Sequence, residues 1–289
     1  WPDGTVSAGF AFAHDLHRTV LYDRIPAARR ARMHAAVAAR LERAGGPAPA
    51  NVAELANQFL LGRDDRKAVH YLQSAAEQAL RRSAYREAID HLGALLGAVR
   101  RLPKDADRDR AELLAQMALG PALIATRGFA SPDVEATYDR ARELCLALDR
   151  PYELSLVLHG LAAVNEFRGR YHHSQELLEE LLQLGGAGVV VEAHELLACS
   201  TFHQGAVVRS VRHAEQGLAL YEAGRDLWYL APYGEHPAVS CHDWAAVALW
   251  FLGRPDSALA HAEQALAMAR EYPYSLASAE VQLTYLYQY

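Results

Sequence analysis

Three glycines constrain this chain more than any other feature. Gly169, Gly205 and Gly253 lie 36 and 48 residues apart, and each separates two apolar-patterned stretches of helical length, within Leu158 to Leu178, His194 to Ala214 and His242 to Ala262. A recurrence of about 20 to 50 residues marks a repeat architecture, in which each unit buries its apolar face only by stacking on the next. The residue types agree with the spacing. Leu158, Leu161 and Ala162 precede Gly169, with Tyr171 and Leu178 after it. Leu197 and Ala198 precede Gly205, with Val207 and Ala214 after it, and Ala245 and Ala246 precede Gly253, with Ala258, Ala262 and Ala265 after it. An earlier hairpin carries Leu72, Ala75 and Ala76, then Tyr85, Ala88, Ile89, Leu92 and Leu95. Small residues are required where two helices cross closely, and large ones where the next hairpin stacks.

These hairpins resemble tetratricopeptide repeats, whose period is about 34 residues and whose pattern W-x2-L-G-x2-Y, then A-x3-F, they match loosely. Ser174 and Ser210 stand where Ala is usual, so the repeats are degenerate. The extra length in the second spacing falls in Asp226 to Pro237, which carries Pro232 and Pro237 and reads as an inserted loop. A further unit, with Leu119 and Gly120 followed by Tyr138 and Ala141, has a longer turn from Arg127 to Asp133. The expected fold is all-α, a right-handed superhelical solenoid of degenerate tetratricopeptide-like hairpins with fourteen helical segments between residues 13 and 288.

The first 45 residues differ from the rest. Trp1 to Phe12 contains a Pro-Asp-Gly turn and the alternation Phe10, Phe12, which predicts a short β-hairpin. On the second helix Met33, Val37 and Leu41 form a narrow stripe expected to cover the first hairpin at Leu60 and Leu72. The domains expected are therefore 1–45, the end of a winged-helix-like module, and 46–289, the repeat domain. The chain begins at Trp1 rather than Met and ends at Tyr289 within an unfinished helical pattern, so a longer polypeptide is expected around it.

A sharper resemblance is to bacterial signal-transduction ATPases with numerous domains, including those fused to nucleotide cyclase or transcription-factor modules. The run GFAFAHDLHRTVLYDRIPAARRARMHAAVAARLE is similar to the end of their winged-helix module. LGPALIATRGFASPDVEATYDRARELC and ALWFLGRPDSALAHAEQALAMARE are similar to their helical sensor region. The inserted loop departs from that family, with His236 before Pro237 where Asp is usual. The resemblance implies a sensor or scaffold that regulates an ATPase or transcription-regulator module elsewhere in the full-length protein.

Composition and motifs narrow the chemistry. With 51% apolar residues and a net charge of −6 among 289 residues, the chain is expected to be ordered almost throughout. Its longest apolar run, Trp244 to Leu252, falls well short of the roughly 18 residues of a membrane span. Cys145, Cys199 and Cys241 lack CxxC spacing, which fits buried thiols in a reducing compartment, so the cytoplasm is expected. A phosphate cradle needs G-x-x-x-x-G-K-[ST], yet neither lysine, Lys67 or Lys104, follows a glycine. His14 with His17, His172 with His173, Cys241 with His242 and Cys199 with His203 all lack a third ligand at metal spacing. No G-x-S-x-G elbow is present. No catalytic residue, cofactor or metal is therefore expected.

Binding is the function that remains. Residues 1 to 45 carry seven arginines and a balance of +3, leaving −9 for the rest, so contact with DNA through the basic segment is the alternative. No arm or aromatic interleaving accompanies that charge, and neither nucleic acid nor membrane is expected as a partner. In tetratricopeptide hairpins the first helix of each pair lines the concave side. Counting back from the three glycines places His159 and Glu166, then Glu195, Cys199 and Phe202, then Asp243 and Trp250 on that side. Acidic groups mixed with large aromatics suit a basic or amphipathic protein segment, with a small-molecule effector or the protein's own ATPase module as other occupants of the groove.

Overall fold

The computed structural model describes residues 12, 14–45, 52–185, 189–221 and 236–288. Among them the regular structure is fourteen helices, with no strand. Phe12 belongs to no regular element and is exposed; the rest of the β-hairpin expected over Trp1 to Phe12 lies outside the described residues, as does most of the inserted loop. The chain divides into two compact units, Trp1–Thr126 and Arg127–Tyr289. In chain order the helices are α1 (Asp15–Arg24), α2 (Ala27–Gly45), α3 (Val52–Leu61), α4 (Asp65–Arg81), α5 (Tyr85–Val99) and α6 (Ala106–Arg127), which ends at the boundary. They continue with α7 (Pro132–Ala147), α8 (Pro151–Phe167), α9 (Tyr171–Gln183), α10 (Val190–His203), α11 (Val207–Leu220), α12 (Pro237–Phe251), α13 (Pro255–Ala269) and α14 (Pro273–Gln288).

One turn is used six times. Arg63, Ser83, Asp149, Gly169, Gly205 and Gly253 all have positive φ, between 52° and 76°. After each, the next backbone N–H reaches back five residues, as from Arg170 to the Asn165 carbonyl at 2.9 Å and from Ala206 to Thr201 at 2.8 Å. This left-handed closure satisfies the last carbonyls of the first helix and reverses the chain within about three residues. Three of the six turns lack glycine, which is why only the other three stood out as a period. A side chain at positive φ costs roughly 1 kcal/mol. Ser83 is exposed, so Ser83→Gly is expected to stabilise the first unit by up to about 1 kcal/mol, read as an upward shift in the urea midpoint.

The close crossing sits at fixed distances from five of these turns. Seven residues before and five after lie Ala56 and Ala68, Ala76 and Ala88, Ala162 and Ser174, Ala198 and Ser210, and Ala246 and Ala258, each at most 1% exposed. The serines that depart from the repeat pattern occupy this contact, where the Ser210 hydroxyl donates to the Ala198 carbonyl of the facing helix at 2.8 Å. Larger side chains have no room at these positions.

In the first unit, Leu55, Phe59, Leu72, Leu92, Leu95 and Val99 form the core, and Phe59 stacks on Tyr71 at 5.3 Å. Of the expected stripe on α2, Leu41 packs in one cluster with Leu60 and Leu72, but Met33 is 49% and Val37 38% exposed, and Ala38 is buried beside Leu41 instead. His34 bonds Gln58 at 2.7 Å, and a Cβ on Gly62 would fall 2.9 Å from the Ala35 backbone nitrogen. The salt bridge from Lys67 to Glu42, 2.6 Å, and the Tyr71 hydroxyl donating to Glu42, 2.9 Å, tie α2 to α4. Thus α2 packs within the same compact unit as α3 to α5.

In the second unit a Cβ on Gly160 of α8 would meet the Tyr138 ring of α7 at 2.6 Å, so glycine is required there. His236, at the exit of the insertion, is 2% exposed. Its ring bonds the Tyr221 hydroxyl at 3.0 Å, and its backbone N–H donates to the Ser275 hydroxyl at 2.7 Å, joining the start of α12 to α14.

Candidate functional site

The first helices of the hairpins in the second unit, α8, α10 and α12, enclose a cavity of about 330 Å³ together with the starts of α9 and α14. From α8 come His159, Ala163, Glu166 and Phe167, and from α10 come Glu192, Glu195, Leu196, Cys199 and His203. Pro237, Ser240 and Trp244 of α12 close one side, and Phe129, Tyr171 and Tyr274 complete the wall. Positions three, four or seven apart share a helix face, which is why each helix contributes a stripe.

The carboxylates dominate the electrostatics. Glu166 and Glu192 are 7% and 8% exposed, and no lysine or arginine is among the described residues of the wall. Ser200 donates its hydroxyl to Glu166 Oε1, while Glu166 Oε2 has no hydrogen-bond partner. Burial raises the Glu166 pKa above the usual carboxylate range, against the opposing effect of the nearby Ser174, Ser200 and Cys199 groups. Glu195 accepts from the Trp244 indole N–H at 3.3 Å. Burial pushes His159 down to about 4 and lowers His203 as well, so the imidazoles supply no balancing charge near neutral pH.

Flat rings form the rest of the wall. Phe129 stacks on Phe167 with centroids 4.2 Å apart and planes 9° from parallel, and Tyr171 stacks on His203 at 5.1 Å and 13°. Trp244 meets His203 edge-on at 5.5 Å. Arg168 holds the Phe129 segment in place, donating to the Ala130 carbonyl at 3.0 and 3.2 Å and pairing with Glu135.

Of the seven residues singled out from sequence, His159, Glu166, Glu195 and Cys199 come together in this cavity. The other three lie elsewhere. Phe202 and Trp250 pack with Val211, Leu249 and Ala258, and Phe202 also meets Phe251 at 5.3 Å. Asp243 is 4% exposed and does not line the cavity. For Asp243 and Trp250 the physical reason lies in α12, which buries ten of its fifteen residues, so its sequence offers no polar face from which to fix the phase, whereas Phe202, on α10, joins the apolar cluster shared with the next hairpins. Sequence reasoning missed Glu192 and His203, although both continue the α10 stripe through Glu195 and Cys199. Phe129, Tyr171 and Tyr274 come from loops and helix starts, outside any single-helix pattern.

Among the described residues no three His, Cys, Asp or Glu side chains are placed to hold a metal ion. No described helix is long and apolar enough to cross a membrane. Cys145 and Cys241 are buried, and burial drives the Cys145 thiol up to about 11. In the basic segment Arg18 pairs with Asp15 at 3.1 Å and Arg30 with Asp23 at 3.2 Å.

Recurrent helical hairpins closed by one turn type, with small residues at each crossing and a cavity on the first helices, define a tetratricopeptide-like repeat protein. Solved structures share this fold. A Podosopora anserina chain described as a putative kinesin light chain with nearly identical TPR-like repeats aligns at a TM-score of 0.52 and 16% identity, over 70% of this chain and 96% of that one. A second crystal structure, of a single-residue variant of that chain, aligns equally, at 0.52 and 16%, over 70% and 95%. BtubC (BKLC) from P. vanneervenii aligns at 0.53 and 15% identity, over 83% of this chain and 90% of that one. No family model and no curated protein matches the sequence.

Proposed function

We propose that this chain is a non-catalytic protein-interaction scaffold that receives a basic, amphipathic segment of a partner in the cavity of its second unit. The observation that carries this reading is the wall itself: Glu166, Glu192 and Glu195 among aromatic rings, with no cationic side chain among its described residues. Charge complementarity sets the sign of the partner, and buried rings supply the anchor. In the longer polypeptide this binding event regulates an ATPase or transcription-factor module, a context supported by the resemblance of Gly9 to Glu42 and of Leu119 to Cys145 to signal-transduction ATPases.

Calorimetry with two synthetic peptides tests the reading, one alternating arginine and leucine and the other with glutamate for every arginine. The basic peptide is expected to bind at least ten-fold more tightly, with an affinity that falls as salt rises. Equal binding of both peptides, or none of the basic one, refutes it.

A further inference from the structure

Within the cavity, Glu166 presents an unusual demand. It is 7% exposed, its Oε1 is occupied by Ser200, and Oε2 has no donor. The neutral Ser174, Ser200 and Cys199 groups beside it leave its negative charge uncompensated, and a cation entering the cavity would compensate it. The neighbouring surfaces are planar. The Phe129–Phe167 and Tyr171–His203 stacks present ring edges and faces, of which Phe167 is 65% exposed. Size decides how much of a partner can enter. A concavity of about 330 Å³ with three carboxylates on its wall suits a single polar side chain carried in by a larger partner.

We propose that the cavity is an arginine pocket: one guanidinium side chain of the partner segment enters it, pairs with the carboxylates of Glu166, Glu192 and Glu195, and stacks against the aromatic wall. This rests on the reading above that the partner is basic, and it narrows that partner to one side chain in one place. Arginine is favoured over lysine because the guanidinium is planar, forks toward carboxylates and stacks on rings, whereas an ammonium is a compact, strongly hydrated point charge.

Calorimetry on the full chain with capped single residues tests the pocket. N-acetyl-arginine N-methylamide is expected to bind saturably, its lysine counterpart at least ten-fold more weakly, and the uncharged, near-isosteric citrulline derivative not measurably. Glu166→Gln and Phe167→Ala should each weaken arginine binding at least ten-fold, and the exposure of Phe167 means its truncation probes stacking without loss of fold. Citrulline binding as well as arginine, or arginine binding unchanged in both variants, overturns the pocket. If the basic peptide binds while the arginine probe does not, the pocket falls and the basic-partner reading stands. If neither binds, both fall.

Discussion

Between pH 6.5 and pH 4 the second unit is expected to lose most of its stability while the first does not. Burial lowers His159, His213 and His242 each to about 4, and lowers His194, His203, His236 and His261 in the same direction. All seven lie in the second unit. A histidine whose folded pKa is depressed takes up its proton first in the unfolded state. Its stability contribution is therefore intact above about 6.5 and is lost as pH falls toward 4. For His159, which is 5% exposed, the full shift corresponds to about 3 kcal/mol. The raised carboxyls of Glu166 and Asp139 act in the opposite sense but are outnumbered. In the first unit the lowered carboxyl is Glu42, held down chiefly by Lys67, and its contribution is lost only below the usual carboxylate range.

Two of the histidine pairs come from the repeat itself. His194 faces His213 with Nδ1 atoms 3.2 Å apart, and His242 faces His261 at 2.9 Å. These positions lie eleven residues before and eight after Gly205 and Gly253, and at the same places around Gly169 stand Leu158 and Leu177, both buried. An apolar pair in one hairpin is thus an imidazole pair in the next two, and protonating both rings of a pair sets two positive charges about 3 Å apart. Tryptophan fluorescence during thermal melts at pH 7 and pH 5 reads the second unit through Trp244 and Trp250. A large drop in midpoint is expected at pH 5, and His194→Leu combined with His213→Leu should reduce it. A midpoint independent of pH contradicts this account.

Leu178→Ala is expected to destabilise the second unit by about 2–5 kcal/mol, since the side chain is fully buried on α9 and its removal leaves a cavity in addition to the lost transfer energy. That is a large fraction of the roughly 5–15 kcal/mol that holds a domain folded. Leu146, 60% exposed on α7, is the control, and its truncation should change stability by no more than about 0.5 kcal/mol. Urea denaturation followed by circular dichroism separates the two. Similar costs for both would mean that α9 does not pack as described.

The hairpins were legible because their period is written in residues that packing forbids to vary, the alanines and serines at the crossings and the glycines at positive φ. The first unit hid the same turn behind Arg63 and Ser83, which tolerate the left-handed conformation at a cost but carry no compositional sign of it. In the cavity, His159, Glu166, Glu195 and Cys199 could be counted back from the turns because α8 and α10 have polar positions that break the apolar pattern. Counting failed on α12, where burial on nearly every side removes that contrast, and the wall there is Ser240 and Trp244 instead of Asp243 and Trp250. Successive helices also contribute from positions nearer their starts, with Phe167 near the end of α8 and Pro237 at the head of α12. A fixed offset from the glycine cannot follow that drift.

The Trp244 indole N–H, bonded to Glu195 at 3.3 Å inside the cavity, offers the most direct test of whether this wall is the working surface. In a proton–nitrogen correlation spectrum of the full chain titrated with the basic arginine–leucine peptide, the Trp244 indole resonance is expected to shift progressively and saturate, with the Trp250 indole moving far less. A Trp244 resonance that stays in place while the peptide binds would contradict the account.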